Sequence, residues 1–136
     1  MKFNPRSETE YRRKLARGFL KDARELFKVG DWRNNVANSQ LAAENSAKTI
    51  ISFYKIPSWS HDPLPELNEV VGQLPLEARR YAEELALMAH QLAPEHARTT
   101  YGDLSRGLTP WELYSREDAE KSLKKAEKAV KLMEKI

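Results

Sequence analysis

Only three histidines occur in the chain, His61, His90 and His96, and each stands at or near an expected helix end. Imidazole is the side chain whose ordinary pKa lies nearest neutrality, so proton transfer and metal ligation are the chemistries these residues could supply. His90 lies five residues before Glu95 and six before His96, with Pro94 between them. That spacing does not place two ligands on one helix face, and there is no cysteine to add a third. Spacing therefore points to no metal and no cofactor. A nucleophile elbow of the Gly-x-Ser-x-Gly kind is absent, and the five glycines are scattered rather than gathered into a phosphate loop. The sequence offers no catalytic residue by motif.

Binding chemistry is better represented. Glu44 and Lys48 stand four apart in the acid-first order that favours pairing on a helix. On an exposed face such a pair is worth only a few tenths of a kcal/mol. Arg98 supplies a planar fork of donors matched to phosphate, and Tyr101 a ring on which a base can stack. His61 precedes Asp62 and Pro63, where its ring can pin the connection between two helices. Glu44, Lys48, His61, Arg98 and Tyr101 form the candidate ligand-binding set.

Helical periodicity positions these residues. Ser7 with Glu10 reads as a capping box, and Tyr11, Leu15, Phe19, Ala23, Leu26 and Phe27 follow on one face, up to a terminating Gly30. Asp31 can cap a second long helix that carries Val36, Ala43, Ala47, Ile50, Ile51 and Tyr54 inward and ends before Pro57. Asp62 and Pro63 open a short helix, and Leu76 to Ala89 builds a third long one. Residues 87–103 read as a charged and aromatic loop. Thr109-Pro110-Trp111-Glu112 can form one capped turn, and Ser115 with Asp118 starts a last long helix. The expectation is an all-α, up-and-down bundle of four long helices plus one or two short ones, in a single domain over residues 1–136.

Charge and length narrow the class. A chain of 136 residues suits one domain, and no apolar run approaches the roughly 18 residues of a membrane span. Met1-Lys2-Phe3-Asn4-Pro5-Arg6 has no apolar signal core, and the lack of cysteine suits a reducing compartment, so a soluble cytoplasmic protein is expected. The net charge of +3 is uneven: residues 1–29 hold 9 Lys/Arg against 4 Asp/Glu, residues 30–115 hold 7 against 11, and residues 116–136 hold 7 against 5. Arg12, Arg13, Arg17, Lys21, Arg24 and Lys28 either face a phosphate backbone or form a solvated face with pairs such as Glu10 and Lys14. Trp32, Phe53, Tyr54, Trp59 and Trp111 are more large aromatics than a small bundle core absorbs, which predicts a two-fold homodimer.

Three segments, in order, resemble the HEPN family of small helical bundles linked to nucleotide and RNA chemistry. They are Leu41-Ala42-Ala43-Glu44-Asn45-Ser46-Ala47-Lys48, then Ser60-His61-Asp62-Pro63-Leu64-Pro65-Glu66-Leu67, then Ala97-Arg98-Thr99-Thr100-Tyr101-Gly102-Asp103. The last is similar to an arginine-tyrosine-proline-aspartate stretch, with looser spacing and Gly102 in the proline's place. The resemblance implies that Glu44 and Lys48 face a ligand groove. It also implies the non-nuclease branch, because the family's ribonucleases carry an arginine followed four to six residues later by a histidine, and this chain has no such pair. The leading expectation is therefore a nucleotide- or nucleic-acid-binding protein acting with a minimal nucleotidyltransferase partner in a toxin–antitoxin type pair. The alternatives are a metal-independent ribonuclease acting as a dimer from non-motif positions, and a plain helical interaction module.

Overall fold

The computed structural model describes residues 4–136, so residues 1–3 of the segment read for a signal core lie outside it. Helix α1 covers Pro5–Lys28. Its N-cap is Asn4, whose side chain accepts from the Ser7 N–H, and Pro5 opens the helix where a missing N–H costs nothing. The expected box of Ser7 and Glu10 thus lies inside the helix and does not start it. The buried stripe is also displaced: Ala16, Leu20 and Ala23 face the core, whereas Tyr11 is 61% exposed.

Gly30, at φ 77°, turns the chain, and Asp31 caps α2, Trp32–Ile51, accepting from the Asn34 N–H at 3.1 Å. Helix α2 is the centre of the fold. It packs against α1 and, as described below, against five more helices, and is buried almost all round. Val36, Ala43, Ala47, Ile50 and Ile51 are buried as expected, but so are Gln40, Glu44, Asn45 and Lys48.

Helix α3, Leu64–Val70, begins where Asp62 accepts from the Leu64 N–H, and a 3₁₀ turn, Val71–Gln73, leads to α4, Leu76–Leu92. The loop expected over residues 87–103 is mostly helical. Helix α4 runs through its first six residues, and Glu95–Tyr101 forms α5 after a short turn at Ala93 and Pro94. Proline suits a helix start as well as a loop, which is why the break resembled a longer one. Gly102, at φ 74°, closes α5, and a Cβ there would lie 2.2 Å from the Leu108 carbonyl oxygen. This tight approach lets Asp103 and Leu108 exchange two backbone hydrogen bonds around the 3₁₀ turn Leu104–Arg106.

Helix α6, Pro110–Leu113, and α7, Arg116–Lys135, carry the two expected capping boxes, Thr109 with Glu112 and Ser115 with Asp118. Ala119, Ala126, Val130 and Met133 of α7 are buried against α2 and α4. The four long helices α1, α2, α4 and α7 form the all-α bundle. Burying side chains such as Leu20, Ile50, Ile51, Leu67 and Leu85 contributes about 1.5–3 kcal/mol each.

The basic row of α1 is largely engaged. Arg13 and Arg17 reach Glu134 at 3.1 and 2.6 Å, Arg24 reaches Glu127 at 3.1 Å, and Arg12 reaches Glu8 at 3.0 Å. These cations link α1 to α7 or pair along α1 instead of standing free for a phosphate backbone.

Candidate functional site

Two polar sites meet on α5. The first is a cluster built on α2. Glu44 and Lys48 are one turn apart, and both are buried, with side chains 7% and 5% exposed and Nζ 3.2 Å from Oε2. The surface pair expected from the sequence is therefore an interior ion pair. Gln40 Nε2 donates to Glu44 Oε1 at 3.0 Å, and His61 Nδ1 lies 3.0 Å from the same oxygen. Because a carboxylate only accepts, His61 Nδ1 carries the proton. The amide of Gln40 points its oxygen the other way, to His96 Nδ1 at 3.0 Å. The imidazoles of His61 and His96 stack, with centroids 3.4 Å apart and planes 16° from parallel.

Burial alone would raise the Glu44 carboxyl, but the Gln40 amide, the Lys48 ammonium and His61 outweigh it and hold the group below the ordinary carboxylate range. Burial lowers the His96 imidazole, and the neighbouring His61 and Lys48 add to that against the pull of Glu44. Behind a half-exposed His61, the cluster thus holds an ionised carboxylate and a neutral His96 at neutral pH. One ligating atom from each of Glu44, His61 and His96 falls within 4.8 Å of the others. In the sequence, the trio with potential metal ligands is His90, Glu95 and His96, whose spacing does not suit one ion. The fold separates that trio, since His90 Nδ1 turns to Asp62 Oδ2 at 2.8 Å, and assembles a different one.

The second site lies across α5. His96 and Arg98 are two residues apart, about 200° around a helix, so they face opposite ways. Arg98 lines a cleft of about 250 Å³ with Arg106, Tyr114, Asp118, Lys121 and Lys125, between α5 and α7. Its two acids are engaged: Glu95 accepts from Arg98 Nη1 at 2.9 Å and from the Tyr114 hydroxyl, while Asp118 caps α7 by accepting from the Ser115 N–H and hydroxyl. Burial and then the bond to Glu95 push the Tyr114 hydroxyl up, so it stays protonated. Lys121 reaches Glu117 at 3.4 Å, but no carboxylate lies within 4.0 Å of Arg106 or Lys125 among the described residues. Tyr101, 80% exposed, stands three residues beyond Arg98 on a neighbouring position of the helix surface.

Of the five candidate residues, the fold gathers Glu44, Lys48 and His61 in one site and leaves Arg98 and Tyr101 beside the other. Gln40 was missed, having no motif to mark it, and His96 was weighed only for metal and ribonuclease roles. Arg106, Lys121 and Lys125 were missed as well; each is an ordinary cation until α7 closes over α5.

A family model described as HEPN domain matches residues 9–136, nearly the whole chain. The chain belongs to the HEPN domain family. No curated protein and no solved structure matches it. Membership ties this HEPN domain, at the level of the family, to nucleotide and nucleic-acid chemistry, and HEPN domains commonly dimerise. No helix among the described residues is long and apolar enough to cross a membrane.

Proposed function

We propose that this HEPN protein binds the phosphates of a nucleotide or nucleic acid in the Arg98 cleft. It works as a cytoplasmic homodimer with a minimal nucleotidyltransferase partner, in a toxin–antitoxin type pair. One observation carries the binding reading: the cleft is lined by four cations, while both of its acids are engaged within the protein. Arg106 and Lys125 retain free donors at its edge, and Tyr101 offers a ring one turn beyond Arg98. The partner follows from the resemblance to stand-alone family members that act beside such an enzyme.

Titration of ATP and of a short single-stranded RNA at several salt concentrations tests the binding. Arg106→Ala and Lys125→Ala are expected to weaken it and to flatten its salt dependence, while changing stability by under about 0.5 kcal/mol. Equal affinity for wild type and both variants removes the cleft as the site. Copurification with a nucleotidyltransferase encoded beside this chain tests the partner.

A further inference from the structure

We propose that Glu44, His61 and His96 form a site for one divalent transition metal ion, of the zinc, cobalt or nickel kind. The three come from three parts of the fold: α2, the segment ahead of α3, and α5. Two imidazoles and a carboxylate are a donor set for such borderline ions, and cysteine is not required.

A tetrahedral ion with ligands about 2.0–2.2 Å away holds its ligand atoms roughly 3.3 Å apart. The three here already lie within 4.8 Å, so closure needs shifts of about an ångström. The mobile member is His61, which is half exposed and lies outside any helix. Fanning the two stacked rings apart about their side-chain torsions turns one nitrogen of each toward Glu44 Oε1. The ion replaces the His61–Glu44 and His96–Gln40 hydrogen bonds, and Lys48 remains on Oε2 as the partner that orients a ligating carboxylate. Ligation through Nδ1 requires each ring to carry its proton on Nε2 instead, a tautomeric shift that the charge of the ion favours. The Lys48 ammonium offsets the Glu44 charge, which weakens the site relative to one with a free carboxylate and favours water or an anion in the remaining position.

This inference does not rest on the nucleotide reading, whose cleft lies on the other face of α5. Untagged protein stripped with chelator and titrated with Co²⁺ tests it, read by visible absorption and confirmed by Zn²⁺ calorimetry. One equivalent per chain is expected, with a rise in melting temperature. His61→Ala and His96→Ala are expected to weaken binding at least about a hundredfold, whereas His90→Ala, whose ring pairs with Asp62, keeps it. Should either variant misfold, histidine ring resonances of the wild type report directly: Zn²⁺ moves those of His61 and His96 and leaves His90 in place. No saturable binding, or binding unchanged in folded His61→Ala and His96→Ala, overturns the site.

Discussion

His61 and His96 lie face to face at 3.4 Å, although one precedes α3 and the other belongs to α5. A pair of histidines beside a lysine invites comparison with acid–base cleavage of RNA. Parallel rings in contact leave no room for a phosphate between them, and in-line displacement needs its base and acid on opposite sides of phosphorus. Arg98, the cation nearest in sequence, faces away toward α7. The purified protein alone is therefore expected not to cleave RNA; chelator-resistant cleavage abolished by His61→Ala or His96→Ala contradicts this.

The interior setting of Glu44 and Lys48 makes them unequal to surface charges. Lys48→Met leaves a buried carboxylate without its cation and is expected to cost about 3–5 kcal/mol in urea unfolding. Adding Glu44→Gln is expected to recover part of that loss. If Lys48→Met proves as stable as wild type, the pair is not buried as described.

Acid should weaken the link between α1 and α7. Burial pushes the Glu134 carboxyl up, but its bonds to Arg17 and Arg13 outweigh that and hold it below the ordinary range. A depressed folded-state value means stability present above about pH 4.5, the unfolded value, and lost as pH falls through the folded one. Glu134→Gln is expected to flatten the stability profile below that pH, by under about 1 kcal/mol because the pairs are partly exposed. Melting curves from pH 3 to 7 for both proteins provide the comparison, and parallel profiles count against the link.

Gly102→Ala is expected to cost about 1–3 kcal/mol or more, since the positive φ and the Leu108 oxygen both oppose a side chain. Thermal unfolding by circular dichroism suffices; an unchanged melting temperature shows that the turn can open without penalty.

Of the five large aromatics, some of which are expected in an interface, Trp32, Phe53 and Tyr54 are partly buried, while Trp59 and Trp111 remain 95% and 74% exposed. Light scattering at micromolar concentration is expected to give twice the chain mass, and the double variant Trp59→Ser/Trp111→Ser to shift it toward one chain. A wild-type mass of one chain ends the homodimer reading.

Local signals were legible where a helix start is written in a few adjacent residues: Asp31, Thr109 with Glu112, and Ser115 with Asp118. The opposed faces of His96 and Arg98 also followed from their spacing, once they lay on one helix. Burial of Glu44 and Lys48 did not, because a helix enclosed by six others mixes polar and apolar residues on every side and its pattern gives no direction inward. Neither did the meeting of His61, His96 and Gln40, which depends on long-range packing of α5 against α2. At Asn4, a one-residue cap ahead of proline outcompeted a box that looked better on paper.

The enclosure of α2 has a kinetic consequence. Its amides should be among the last to exchange with deuterium, because exposing them requires opening the whole bundle. Access to the carboxylate it carries is therefore expected to depend on the His61 segment and the seven residues of α5, neither of which belongs to the four long helices. Exchange that is fast at those two segments and slow along α2 would mark the doorway and the wall as separate cooperative units.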